Sequence, residues 1–202
     1  LKKQKLDNAF VFIFLTSVCF KLFLIYLEYL EVFVNKFTVR DEATFILYSF
    51  AEDIVINTFG ISPGDYFLFY LTRFFISFFH DEYIVKLLPI FFSILSYHYI
   101  IKILKIFKID ELTSLIILFL VFFWPSSLLF HYSLTKEFLQ FSFLVPFVYY
   151  SLRLLDKINP IIIAKYSIFL ILFTYTHRGF EAISILMTFS ILVIILLKSQ
   201  TF

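Results

Sequence analysis

Six apolar runs of membrane-crossing length dominate this chain, at residues 9–34, 84–101, 112–130, 138–155, 161–176 and 180–197. A hydrocarbon core about 30 Å thick is crossed by roughly 20 residues of helix. Inside lipid every backbone N–H and C=O must be bonded within its own segment, which leaves helices as the only solution for runs of this kind. The predicted fold is therefore all-α: a polytopic transmembrane helix bundle of about six spans, forming one integral membrane domain over residues 1–202. Composition agrees. Hydrophobic residues make up 61% and charged residues 16%, the mean hydropathy is +0.94, and one soluble core could not hide 32 Phe and 13 Tyr.

Other classes are excluded by what is scarce. The lone Cys19 rules out an intramolecular disulfide, and a net charge of +2 gives no reason to expect a nucleic-acid partner. Three Gly in the whole chain argue against glycine-mediated helix packing. The first run is too long, and lacks the small-residue site, for a cleavable signal. The chain opens at Leu1 without an initiating Met, which suits a trimmed chain or a fragment of a larger polytopic protein.

A seventh apolar run, 66–79, is short and carries Arg73 at its middle. If it does not cross, Lys2, Lys3, Lys5, Lys102, Lys105, Lys108, Arg153, Lys157 and Lys198 fall on one side, nine in all. Lys36, Arg40, Arg73, Lys86, Lys136 and Arg178, six in all, fall on the other. If it crosses, the counts become six and eight. Because basic residues collect on the cytoplasmic face, the first threading is favoured, with both termini cytoplasmic. Residues 35–83 then form a large outer loop with helices at the interface. Residues 41–59 read as one of them, with Ala43, Ile46, Leu47, Phe50 and Ile54 at three- and four-residue spacing.

Three polar clusters emerge on the outer face in this threading: Arg40-Asp41-Glu42, Lys136-Glu137 and His177-Arg178. Each has an ordinary structural role open to it. Asp41 and Glu42 can be a solvated helix start and Glu137 a helix N-terminal carboxylate, while Arg178 can snorkel to the interface. Each also has a chemical role. A carboxylate beside an attacking hydroxyl is a general base, and an arginine held at the membrane surface recognises phosphate or carboxylate bidentately. Glu28 and Glu31 are expected to reach the surface. Lys21, mid-membrane, is expected to pair with a carboxylate. His98 is expected in the core; His80, His98 and His131 lack zinc-ligand spacing.

The order of parts is informative: a first span, a loop opening on Arg40-Asp41-Glu42, an amphipathic segment, Ser62-Pro63 with an aromatic helix, then spans reaching Pro125-Ser126-Ser127 and Lys136-Glu137. This resembles the N-terminal module of the GT-C superfamily of polytopic glycosyltransferases, which includes protein O-mannosyltransferases and aminoarabinose transferases. Asp41 and Glu42 match the family's acidic motif in the first outer loop, and Glu137 matches a second acidic position. The resemblance implies inverting sugar transfer from a polyprenyl-phosphate donor to an acceptor on the outer or luminal face. It implies Asp41, Glu42 and Glu137 in catalysis, and Arg40, Lys136, His177 and Arg178 on the donor. Glu137 would orient a cation or help to hold a divalent metal ion, on which superfamily members differ. The alternative from a different class is a non-catalytic structural subunit of a larger membrane assembly, for example organellar. Its clusters would then contact partner subunits or anionic lipid headgroups. A small transporter ranks last, because only Lys21, Pro89 and Pro146 offer polar or helix-breaking residues near midplane.

Overall fold

The computed structural model describes residues 2–30, 63–80, 82–123, 136–176 and 180–200. All are helical or short connections. Among the described residues there are seven α-helices: α1 Lys2–Tyr29, α2 Pro63–Phe79, α3 Leu87–Ile106, α4 Glu111–Phe123, α5 Lys136–Asp156, α6 Pro160–Thr176 and α7 Phe180–Gln200. A 3-10 turn, Glu82–Lys86, leads into α3. Each apolar run of the sequence is thus matched by a helix, the short seventh run included. Among the described residues three helical stretches are long and apolar enough to cross a membrane: Asn8–Tyr29, Tyr83–Ile106 and Glu137–Asp156. The predicted helix at 41–59 lies outside the described residues.

Side-chain contacts give the directions. Phe14 of α1 stacks on Tyr97 of α3 with ring centroids 4.4 Å apart, whereas Glu28 reaches Lys86 at the start of α3. These two helices therefore run antiparallel, and α1 finishes at the end of the bundle where α3 begins, here the upper end. Tyr29 and Glu82 therefore stand at the same end of the bundle. α5 runs parallel to α3, because Phe92 meets Phe138, Ser96 meets Ser142 and Tyr99 meets Tyr150. α6 returns beside α5 after a three-residue connection, with Tyr150 stacked on Phe169 at 5.7 Å. α7 returns again, its Thr188 hydroxyl 2.6 Å from that of Tyr166. The chain enters at the lower end with α1 and finishes at the lower end with α7.

The core is aromatic and aliphatic, centred on Leu118, Phe122, Phe138, Leu139 and Phe147, all fully buried. Wide apolar faces of α1 and α7 look outward, Phe12 at 70% and Ile185 at 68% exposure, as helices bordering lipid require. Hydroxyls within these helices bond the preceding turn, Thr72 to the carbonyl of Leu68 and Ser151 to that of Phe147, which satisfies them without water. Pro146 sits inside α5, where its missing N–H frees one carbonyl of the ladder. Such a residue is tolerated where neighbouring helices re-satisfy the backbone. A polar seam joins α3 and α5: Ser96 donates to Ser142, Ser142 donates to the carbonyl of Phe92, and the Tyr99 and Tyr150 hydroxyls are 2.9 Å apart.

The turn from α3 to α4 is closed by Lys108 at φ 52°. The Ile109 N–H donates to Leu104 and that of Lys108 to Lys105, the Schellman pattern that satisfies the last carbonyls of a helix. Asp110 then caps α4, accepting the backbone N–H of Thr113 at 3.0 Å. These bonds from Thr113 hold its carboxyl below the usual carboxylate range.

Candidate functional site

Several described helix termini lie at the upper end of the bundle. α1 finishes, α3 and α5 begin, α6 finishes at Thr176 and α7 begins at Phe180, all at that end. Glu137 sits in the first turn of α5, partly buried, between Lys136 and the fully buried Phe138 and Leu139. A carboxylate there complements the unpaired N–H groups and the positive end of the helix dipole. One turn on, the Gln140 side-chain nitrogen is buried with no hydrogen-bond partner. Lys136 contributes the first residue of α5; its side chain lies outside the described residues, as do Arg40, Asp41, Glu42, His177 and Arg178 entirely. Of the expected catalytic set, Glu137 is the member whose surroundings are described.

A buried ion pair joins α1 to α3 at this same end. Lys86 Nζ lies 2.8 Å from Glu28 Oε2, with the two side chains only 8% and 11% exposed. The contact is close but off hydrogen-bond geometry at Oε2, so charge attraction holds it. The Lys86 ammonium also lies 5.6 Å from the centre of the Tyr83 ring, and Tyr83 meets Tyr29 edge-on. The sequence puts Glu28 and Glu31 at the surface; Glu28 is instead largely buried in the pair with Lys86, and Glu31 lies outside the described residues. Periodicity could not have found this, because the partners are distant in sequence and Lys86 sits in a 3-10 turn. Removing one partner of a buried pair strands the other charge, at a cost of about 3–5 kcal/mol. Glu28→Gln should therefore lower unfolding stability by that order, and Glu28→Leu combined with Lys86→Met should recover most of it. A Glu28→Gln protein within about 0.5 kcal/mol of wild type would contradict the pair's structural role.

Lys21 departs further from expectation. Among the described residues no carboxylate meets it. Its side chain is fully buried, its ammonium has no hydrogen-bond partner, and it lies 5.3 Å from the centre of the Phe122 ring in the last turn of α4. One turn away, the Ser17 hydroxyl donates to the Phe122 carbonyl at 3.4 Å. The cation thus rests on a π-face and beside the negative end of the α4 dipole.

His98 also differs from expectation. It is exposed, edge-on to Tyr99 at 5.2 Å, because the buried stripe of α3 runs through Ser93, Ser96, Ile100 and Leu104 and leaves position 98 outside. The stripe's three- and four-residue spacing carried that information in the sequence. Among the described residues no group of three or more His, Cys, Asp or Glu side chains could hold a metal ion. The expected carboxylates Asp41 and Glu42 lie outside that set. Neither a protein-family model, nor a curated protein, nor a solved structure matches this chain.

Proposed function

We propose that this chain forms the membrane module of a GT-C-like glycosyltransferase, spanning the bilayer about six times with its lower end cytoplasmic. The observation that supports the reading is the shared upper end: the end of α1, the start of α5, the end of α6 and the start of α7, which flank the three polar clusters in the sequence, lie at that one end. Charge supports the orientation, since Lys102, Lys105, Lys108, Arg153 and Lys157 gather at the lower end. On this reading an acceptor hydroxyl attacks the anomeric carbon of a polyprenyl-phosphate-linked sugar, and Asp41 takes its proton. The bond from that carbon to the phosphate oxygen breaks with inversion. The departing phosphate keeps the electron pair, and Lys136, His177 and Arg178 balance its charge. Glu42 and Glu137 orient the cations. The lipid tail lies along the Phe-rich helices.

The second reading, a structural subunit, is favoured by the Glu28–Lys86 pair, which spends charge at the upper end on holding helices together. Transfer of labelled sugar from polyprenyl phosphate, measured in membranes containing the protein, separates the two. The enzyme reading expects transfer with at least one donor sugar. No transfer across several donors replaces it with the subunit reading.

A further inference from the structure

Two lysines at the lower end lie over one cluster of tyrosines. Lys102 Nζ of α3 is 5.0 Å from the centre of the Tyr99 ring and 5.4 Å from that of Tyr149. Lys165 Nζ of α6 is 5.9 Å from the centre of the Tyr150 ring. The rings form one unit: Tyr149 and Tyr150 are 5.0 Å apart, and the buried Tyr99 and Tyr150 share a hydroxyl contact at 2.9 Å. Phe169 of α6 stacks beneath Tyr150. Lys102 is half-buried and Lys165 exposed. Among the described residues neither ammonium has a carboxylate at ion-pair distance.

The surrounding charge is mostly positive. Lys105, Lys108, Arg153 and Lys157 lie at the same end. Three carboxylates oppose them: Asp110, which is bonded to Thr113, Glu111 in the first turn of α4, and Asp156, which is 3.8 Å from Arg153. Basic residues therefore exceed acidic ones two to one among the described side chains there. The two ammoniums sit one to two turns inside the ends of their helices; in a bundle that spans the bilayer this is about the depth of a headgroup phosphate.

We infer that the lower ends of α3, α5 and α6 form a binding site for the headgroup of an anionic phospholipid, with Lys102 and Lys165 as its phosphate ligands. The tyrosine cluster fixes the two cations on a rigid platform, so less side-chain freedom is lost when the phosphate arrives. A juxtamembrane lysine contributes on the order of 1 kcal/mol toward an anionic surface. Two of them correspond to roughly a 30-fold preference, at a factor of ten per 1.4 kcal/mol. The site is independent of any sugar transfer at the opposite end.

Native mass spectrometry of the detergent-solubilised full chain tests it, with dioleoyl-phosphatidylglycerol against dioleoyl-phosphatidylcholine as probes. Wild type should retain phosphatidylglycerol preferentially. Lys102→Gln with Lys165→Gln should lower that preference by about 30-fold, while Lys105→Gln with Lys108→Gln, the same change in charge away from the rings, should lower it several-fold less. Lys102→Arg with Lys165→Arg should keep it, which guards against loss through misfolding. Equal losses in the two Gln pairs would reduce the effect to general surface charge and overturn the site, and so would unchanged retention in the Lys102/Lys165 pair.

Discussion

Asp41→Asn should reduce sugar transfer by roughly 10²- to 10⁴-fold, the usual worth of a positioned general base. The amide keeps the shape and most of the hydrogen bonding of the carboxylate but cannot accept the acceptor's proton. Donor binding should stay close to wild type, because the substitution touches the attacking side of the reaction. Arg178→Ala should do the reverse, weakening donor binding by leaving phosphate charge unpaired. Glu42→Gln, at the neighbouring carboxylate, should matter less. Equal turnover in wild type and Asp41→Asn would remove Asp41 from the mechanism.

Lys21→Met should make the protein more stable, by about 1–4 kcal/mol, the range found when buried charge is replaced by apolar side chains of similar volume. Two effects compete at this position. Resting on the Phe122 ring at 5.3 Å returns on the order of 0.5–2 kcal/mol. Burying an ammonium that has no hydrogen-bond partner costs several kcal/mol, so desolvation wins. Methionine fills the same channel between α1 and α4 and leaves the Ser17 bond to Phe122 in place. Unfolding midpoints in a fixed detergent read the difference. A loss of stability in Lys21→Met would mean that the ammonium is compensated in the folded protein. A gain in stability accompanied by loss of transfer would mark Lys21 as a group kept for function at the expense of the fold.

The helices were legible because each apolar run is long and bounded by charge or proline. α6 begins at Pro160, as an N-terminal proline allows, one residue before the run at 161–176, and α5 extends the run at 138–155 by two residues at its start and one at its end. The antiparallel relation of α1 and α3 also followed from the sequence, through the basic residues at 102, 105 and 108. The pairings were not legible. Nothing local to Glu28 indicates Lys86, nothing local to Lys21 indicates the ring of Phe122, and both contacts exist only once α1 has packed on α3 and α4. The outward position of His98 is readable from the spacing of Ser93, Ser96, Ile100 and Leu104, whereas the overall hydropathy of the run suggests even burial. At the candidate site, Glu137 was legible as a first-turn carboxylate from its place before an apolar run. Its relation to Asp41 and Arg178 depends on segments beyond the described residues.

Single-cysteine labelling in a Cys19→Ser background tests the shared upper end most directly. Asp41→Cys, Glu137→Cys and Arg178→Cys should each react with a membrane-impermeant maleimide from one side, and Lys2→Cys, Lys105→Cys and Lys157→Cys from the other. That pattern is what a bundle with both termini at its basic end predicts. Labelling of positions 105 and 137 from the same side, or of 41 and 178 from opposite sides, would contradict it.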